Sequence, residues 1–257
     1  YNWTNNTPSI GLAAGGTGNI ASFNAVNTGT APVTATVTVT PVAAGGNTVT
    51  FNYTGSIQNW VVPAGVTSVR IEARGAEGSH NTSSTTTAGR GAVMAGDFSV
   101  TPGSTLKILV GQQVTNTSGN GGGGGTFVTD MSNAPLIVAG GGGGSSQGAD
   151  SPDKNGQVGT NGGTGAGGGG TGGTGGNGGN IGGSGFQSGA GGGLLTNGAD
   201  GWTGNTGGLA FVNGGSGGVT NAPANGGFGG GGSGSSYVVG GGGGGYSGGG
   251  SGGNSTA

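Results

Sequence analysis

Cysteine is missing from all 257 positions, which excludes disulfide bridges and thiolate metal sites. Charge is nearly as scarce: charged residues make up 5% of the chain and the formal net charge is −2. Disordered segments usually combine low hydrophobicity with high net charge, so repulsion is not what would hold this chain open. The basic residues Arg70, Arg74, Arg90, Lys107 and Lys154 form no patch, and without that electrostatic footprint no nucleic-acid partner is expected. Apolar runs are short as well, well under the roughly 18 residues of a membrane helix, so no membrane span is expected. Hydrophobic residues amount to only 29%.

What is abundant is glycine, 77 residues, most of them in the C-terminal half. Glycine loses the most conformational entropy on folding and brings no side chain to bury. Such a chain either stays disordered or becomes ordered through its backbone.

Three zones follow from the patterning. In residues 1–45, the alternation of valine or alanine with threonine from Val33 to Thr40 has the period of a half-buried strand, closed by Pro41. A weaker alternation covers Ile20 to Ala25. The opening residues Tyr1, Asn2, Trp3, Thr4 and Asn5 are polar and strand-compatible, and read as a start inside a longer polypeptide. This zone is expected to be the C-terminal part of an Ig-like β module.

Residues 46–140 carry strand patterns at 49–53, 58–62, 66–74, 91–100, 105–110, 126–129 and 136–139, with turns at Pro63–Gly65 and Pro102–Gly103. Val69, Ile71 and Ala73 share one parity and are expected in the core, with Arg70, Glu72 and Arg74 on the wet face. Leu106, Ile108, Leu109 and Val110 suit a buried central strand.

Residues 141–257 are low in complexity. Residues 172–180 read GGTGGNGGN, a period of three, but residues 167–171 break the phase and no proline lies between Pro152 and Pro223. A collagen triple helix is therefore not expected. A polyproline II-type spiral also has three residues per turn and directs its N–H and C=O groups outward, where neighbouring spirals can satisfy them. Thr174, Asn177 and Asn180 would then line one edge of a run about 28 Å long. The competing reading is a flexible linker. Against it stand recurrent apolar residues, including Leu194, Leu195, Trp202, Phe211 and Phe228, which a spacer does not need.

The order Trp60-Val61-Val62-Pro63, then Val110-Gly111-Gln112-Gln113, a glycine run from Gly121, Pro135-Leu136-Ile137-Val138-Ala139-Gly140 and Gly226-Gly227-Phe228 resembles the extracellular glycine-rich domain of the anaplastic lymphoma kinase receptors and its bacterial relatives. The resemblance covers about residues 49–254. It implies an all-β fold, a tumour-necrosis-factor-like β-sandwich with an inserted bundle of polyglycine II helices. The receptors' cysteines, membrane span and kinase have no counterpart here, and the strand that closes their sandwich after the last glycine run is missing, downstream of Ala257 or supplied by another segment. Trp3-Thr4-Asn5-Asn6, Ser9-Ile10-Gly11-Leu12 and Val33 to Pro41 resemble PKD-like repeats of large Bacteroidetes surface adhesins of the gliding-motility type.

No catalytic set emerges. His80, the sole histidine, lies in a Ser/Thr-rich stretch without a nucleophile nearby, and the carboxylates are scattered. Asp150, Asp153 and Asn155 precede Gly156 and offer the hard oxygens that calcium prefers, although the spacing is not that of an EF-hand and Asp and Asn are also ordinary turn residues. No other cofactor is expected. The aromatics Phe186, Trp202, Phe211, Phe228, Tyr237 and Tyr246 can either stack on sugars or pack internally. The expected function is that of an extracellular, cell-surface adhesive module. It would bind a surface, polysaccharide or protein partner through loops such as residues 78–88 and 114–119, beside other domains of the same long chain. An ice- or small-ligand-binding protein and a mechanical spacer are the alternatives.

Overall fold

A computed structural model describes residues 2–40, 46–115, 119–147, 151–182, 187–202, 204–221, 224–235 and 239–253. Among them the fold is all-β. All sheets are antiparallel, and helical structure is confined to three single 3-10 turns, Pro8–Ile10, Pro152–Lys154 and Phe211–Asn213. Two units divide at Thr50/Phe51.

In the first unit, β1 (Asn2–Asn5) lies between β2 (Gly15–Thr17) and β3 (Val37–Thr40). Trp3 and Leu12 are buried, and the buried Asn5 amide donates to the Leu12 carbonyl at 2.9 Å. The valine–threonine alternation forms a strand only over β3, and all four of its residues are exposed, Val39 by 54%. The expected half-burial is corrected here: β3 pairs by its backbone with β1, but no second layer covers either of its faces among the described residues. The weak alternation at 20–25 forms no strand and is exposed throughout.

The second unit contains β4 (Gln58–Val61), β5 (Ser68–Arg74), β6 (Val93–Ser99), β7 (Thr105–Leu109), β8 (Thr126–Thr129) and β9 (Pro135–Ala139). One sheet runs β4-β7-β8-β9, and β5 pairs with β6. The turn at Pro63–Gly65 places Gly65 at φ +81°, and that at Pro102–Gly103 gives Gly103 the same angle. Within β5, Val69, Ile71 and Ala73 turn inward while Arg70, Glu72 and Arg74 are exposed, as the alternation requires. Residues 49–53, expected as a strand, form none. Phe51 packs against the core, Tyr53 is exposed but sets its ring 6.0 Å from that of Phe228, and Val49 is exposed.

Strands β7, β8 and the end of β9 are buried on both faces, while β4 at the edge leaves Val61 exposed. Leu106, Ile108, Val128, Ile137 and Ala139 join Ala73 and Ala92 in one apolar cluster. The alternate residues Leu109, Phe127 and Val138 join Leu194, Phe211 and Phe228 from the glycine-rich half in a second. Phe127 and Phe211 stack with centroids 5.1 Å apart. This two-sided burial is why β7 and β8 place apolar residues at successive positions, Ile108-Leu109 and Phe127-Val128.

Among its described residues the glycine-rich half forms no strand ladder, yet its main chain is densely bonded, with runs of donors that repeat every three residues. Gly241 and Gly244 donate to Asn120 and Gly123 at 2.8 and 3.0 Å; Gly242 and Gly245 donate to Gly189 and Gly192 at 3.0 and 3.2 Å. Gly248 and Ser251 donate to Asn177 and Asn180, Gly249 and Gly252 to Gly243 and Gly240, Gly250 and Gly253 to Gly163 and Ala166. The single run expected over residues 172–180 is corrected by a turn. Gly175 and Gly176 take φ +62° and +90°, Asn177 N–H donates to Thr174 O at 3.1 Å, and the chain turns back so that Asn180 N–H reaches Thr171 O at 2.9 Å. Gly173, Gly176 and Gly179 are buried and Thr171, Thr174, Asn177 and Asn180 exposed on the two arms. Neighbouring backbones meet so closely that a Cβ on Gly124 would fall 1.7 Å from the Phe228 carbonyl oxygen.

Candidate functional site

The Ser/Thr-rich loop at residues 78–88 does not hang free. Gly78 N–H to Gly89 O at 3.0 Å closes its base, and Ser79 N–H to Gly121 O at 2.9 Å and Thr86 N–H to Ser146 O at 3.1 Å tie it to the glycine runs. Ser145 and Ser146, which end the glycine run 140–144, supply side-chain staples. Asn81 N–H donates to Ser145 Oγ at 2.9 Å, Ser84 Oγ and Ser145 Oγ share a hydrogen bond of 2.8 Å, and Thr86 Oγ1 donates to Ser146 O at 2.9 Å. The Ser79 hydroxyl donates to Gly119 O at 3.1 Å, tying this loop to the end of the 114–119 loop. His80, Thr82, Ser83, Thr85 and Thr87 remain exposed on the pinned loop.

Residues 151–157 lie against the same loop. The turn Pro152–Lys154 is capped by Ser151, whose Oγ accepts the Asp153 N–H at 3.2 Å and donates to Thr164 O at 2.9 Å. From that turn Lys154 Nζ donates to Thr87 O and Oγ1 at 3.2 and 2.9 Å. Thr86, Ser146, Asp153, Lys154, Asn155 and glycine backbone line a cleft of about 40 Å³. That is room for a few waters, against the roughly 300–1,000 Å³ of small-molecule sites.

Of the calcium candidates, Asp153 and Asn155 are exposed and border that cleft. The Asn155 Oδ1 accepts the Arg90 N–H at 2.9 Å, so a cation would compete with a structural bond. Asp150 lies outside the described residues. Among the described residues no group of three or more His, Asp or Glu side chains gathers at one point.

The electrostatics are those of turns and surface pairs. At the β8–β9 turn the Asp130 carboxylate accepts from the Ser132 hydroxyl at 2.6 Å, the Ala134 N–H at 2.9 Å and the Ser132 N–H at 2.8 Å. These bonds, the Ser132 hydroxyl first, hold its pKa below the ordinary aspartate value, with a further lowering from Lys107. The ion pairs Arg70–Asp97 and Arg74–Glu72, at 3.1 and 2.7 Å, are solvent-exposed.

The six aromatics part company. Phe211 and Phe228 are buried and Tyr246 packs against their cluster, whereas Trp202 is 53% exposed. Phe186 and Tyr237 lie outside the described residues. What sequence reasoning missed are the staples at Ser145, Ser146 and Lys154; the one available signal was a serine pair at the end of a glycine run. No helix among the described residues is long and apolar enough to cross a membrane. No protein-family model matches the chain, and no curated protein matches it.

Proposed function

We propose that the chain is an adhesive and structural module of an extracellular bacterial surface protein. In this reading the glycine-rich half is a bundle of polyglycine II helices beside a tumour-necrosis-factor-like sandwich, and exposed loops on that block bind a surface, glycan or protein. The period-three hydrogen bonding carries the reading. A spiral with three residues per turn sends successive N–H groups to different neighbours and every third to the same one, as Gly241, Gly242, Gly244 and Gly245 do. Main-chain bonding of that kind makes a stiff block from a segment with little to bury, and a stiff block suits the presentation of loops such as 78–88. Recombinant protein should bind at least one of a panel of cell, mineral, polysaccharide and protein surfaces; retention on none of them contradicts the adhesive role.

A second reading has its own observation. Thr171, Thr174, Asn177 and Asn180 are exposed together on the two arms of the turn at Gly175–Gly176, and Asn180 Nδ2 donates across it to Thr171 Oγ1 at 3.1 Å. A regular array of hydroxyl and amide groups can order water. Thermal hysteresis of the protein solution supports this reading, and freezing like a control removes it.

A further inference from the structure

We infer that the hydrogen bonding of the glycine-rich half holds six asparagine–glycine pairs back from deamidating themselves, so that lasting opening of this half modifies it irreversibly. The inference is independent of the adhesive role. An asparagine followed by glycine carries its own nucleophile. The glycine nitrogen attacks the asparagine Cγ and closes a five-membered succinimide. The Cγ–Nδ2 bond breaks, and ammonia leaves with the proton from the glycine nitrogen. Water then opens the ring to aspartate or, through the other carbonyl, to isoaspartate. Glycine favours the attack because no side chain shields its nitrogen and its backbone turns freely.

Seven such pairs occur in the chain, and the asparagines of six, Asn155, Asn161, Asn177, Asn197, Asn213 and Asn225, are exposed. Burial does not protect them. In each of the six the attacking nitrogen is engaged instead. Gly156 N–H donates to Arg90 O at 2.7 Å, Gly162 to Gly173 O at 2.9 Å and Gly198 to Gly208 O at 2.9 Å. Gly214 donates to Phe211 O at 3.0 Å and Gly226 to Gly218 O at 2.8 Å. Gly178 N–H donates to the Thr196 hydroxyl at 2.9 Å, and that hydroxyl also lies 3.4 Å from Asn177 Oδ1, so one side chain grips both reacting groups. Other carboxamides are held as well. Asn155 Oδ1 accepts Arg90 N–H at 2.9 Å, Asn197 Oδ1 accepts Ala210 N–H at 2.9 Å, and Asn225 Oδ1 accepts Thr220 N–H at 3.0 Å. Asn120, of the seventh pair, is wholly buried with Gly234 packed against its carboxamide.

A nitrogen that donates its proton to an acceptor is harder to deprotonate, and it cannot swing toward Cγ without breaking that bond. Attack therefore waits for local opening, and its rate falls with the fraction of time the run is open. The product does not revert. An isoaspartyl link routes the main chain through the side-chain methylene and adds one atom to it. Donors beyond the link then fall out of step with their acceptors, and a neutral amide has become a carboxylate in a chain of net charge −2.

The test incubates the full chain at mildly alkaline pH, native or unfolded in guanidinium chloride, and follows aspartate and isoaspartate at each pair by peptide mass spectrometry. All six pairs should convert in the unfolded chain, and at about a tenth of that rate or less in the native one. Thr196→Val removes the acceptor of Gly178 with little change of shape. Asn177 should then convert several-fold faster than in the parent while the other five keep the parent's rates, and Thr196→Ser should restore the slow rate. Equal rates in the native and unfolded chains overturn the inference. So does an unchanged Asn177 in folded Thr196→Val, or a rise at all six pairs together, which would put the protection in overall stability. Should Thr196→Val not fold, the native and unfolded rates of the parent decide.

Discussion

At the scale of single residues, the decisive property is the absence of a Cβ where backbones meet. Gly124 is buried with the Phe228 carbonyl oxygen 1.7 Å from where its Cβ would stand, and the obstacle is main chain that cannot rotate away. Gly159 is exposed and a Cβ there would meet nothing within 4 Å. Gly124→Ala should therefore cost about 3 kcal/mol or more, as overpacking against fixed atoms does, while Gly159→Ala should stay within about 0.5 kcal/mol. Urea denaturation of the two variants checks the contrast. Asp130 has a different signature. Its folded pKa is depressed, so its stabilisation is complete above the unfolded carboxyl value of about 3.9 and is lost as pH falls through the folded value. Melting temperature measured on acidification below about pH 5 should fall more steeply for the parent than for Asp130→Asn.

At the scale of elements, the four-stranded sheet is the join between ordinary side-chain packing and the glycine-rich half. Phe211 reaches it from a single 3-10 turn, 2% exposed, stacked on Phe127. Phe211→Ala should cost about 3–5 kcal/mol and lower the amide protection of β8 as well as of residues 187–215, since one cluster serves both. Hydrogen exchange on the variant reads this directly. These strands were the legible part of the sequence. The parity of Val69, Ile71 and Ala73 and the apolar run of β7 follow from period two and from burial on both sheet faces. The pattern failed where alternation had no layer to face. Residues 49–53 form no strand and bring only Phe51, with the ring of Tyr53, to the apolar clusters, and β3 has Val37 and Val39 exposed. The staples at Ser145 and Ser146 were illegible for another reason. They join residues about 60 positions apart, and a glycine run carries no side-chain pattern from which that register could be read.

At the scale of the whole molecule, the two units each hold their own structure, the first around Trp3 and Leu12, the second around the two clusters of the sheet. Residues 51–257 produced without the first fifty should melt within a degree or two of the second transition of the full chain, by calorimetry, if each unit carries its own core. The alternating threonines, the candidate calcium oxygens and the aromatics were all visible in the sequence, but only burial could separate Trp202 from Phe211 and Phe228. Composition alone likewise left open whether the glycine-rich half is ordered; its main-chain bonding is a property of register between distant segments.

The account stands on that bonding, and amide hydrogen exchange measures it most directly. Gly141, Gly191, Gly232, Gly242 and Gly244, whose N–H groups donate to Gly244, Gly249, Gly242, Gly189 and Gly123 respectively, should exchange as slowly as the amides of β7 and β8. Exchange of those five glycines at the rate of an unstructured peptide, while β7 and β8 stay protected, would contradict it.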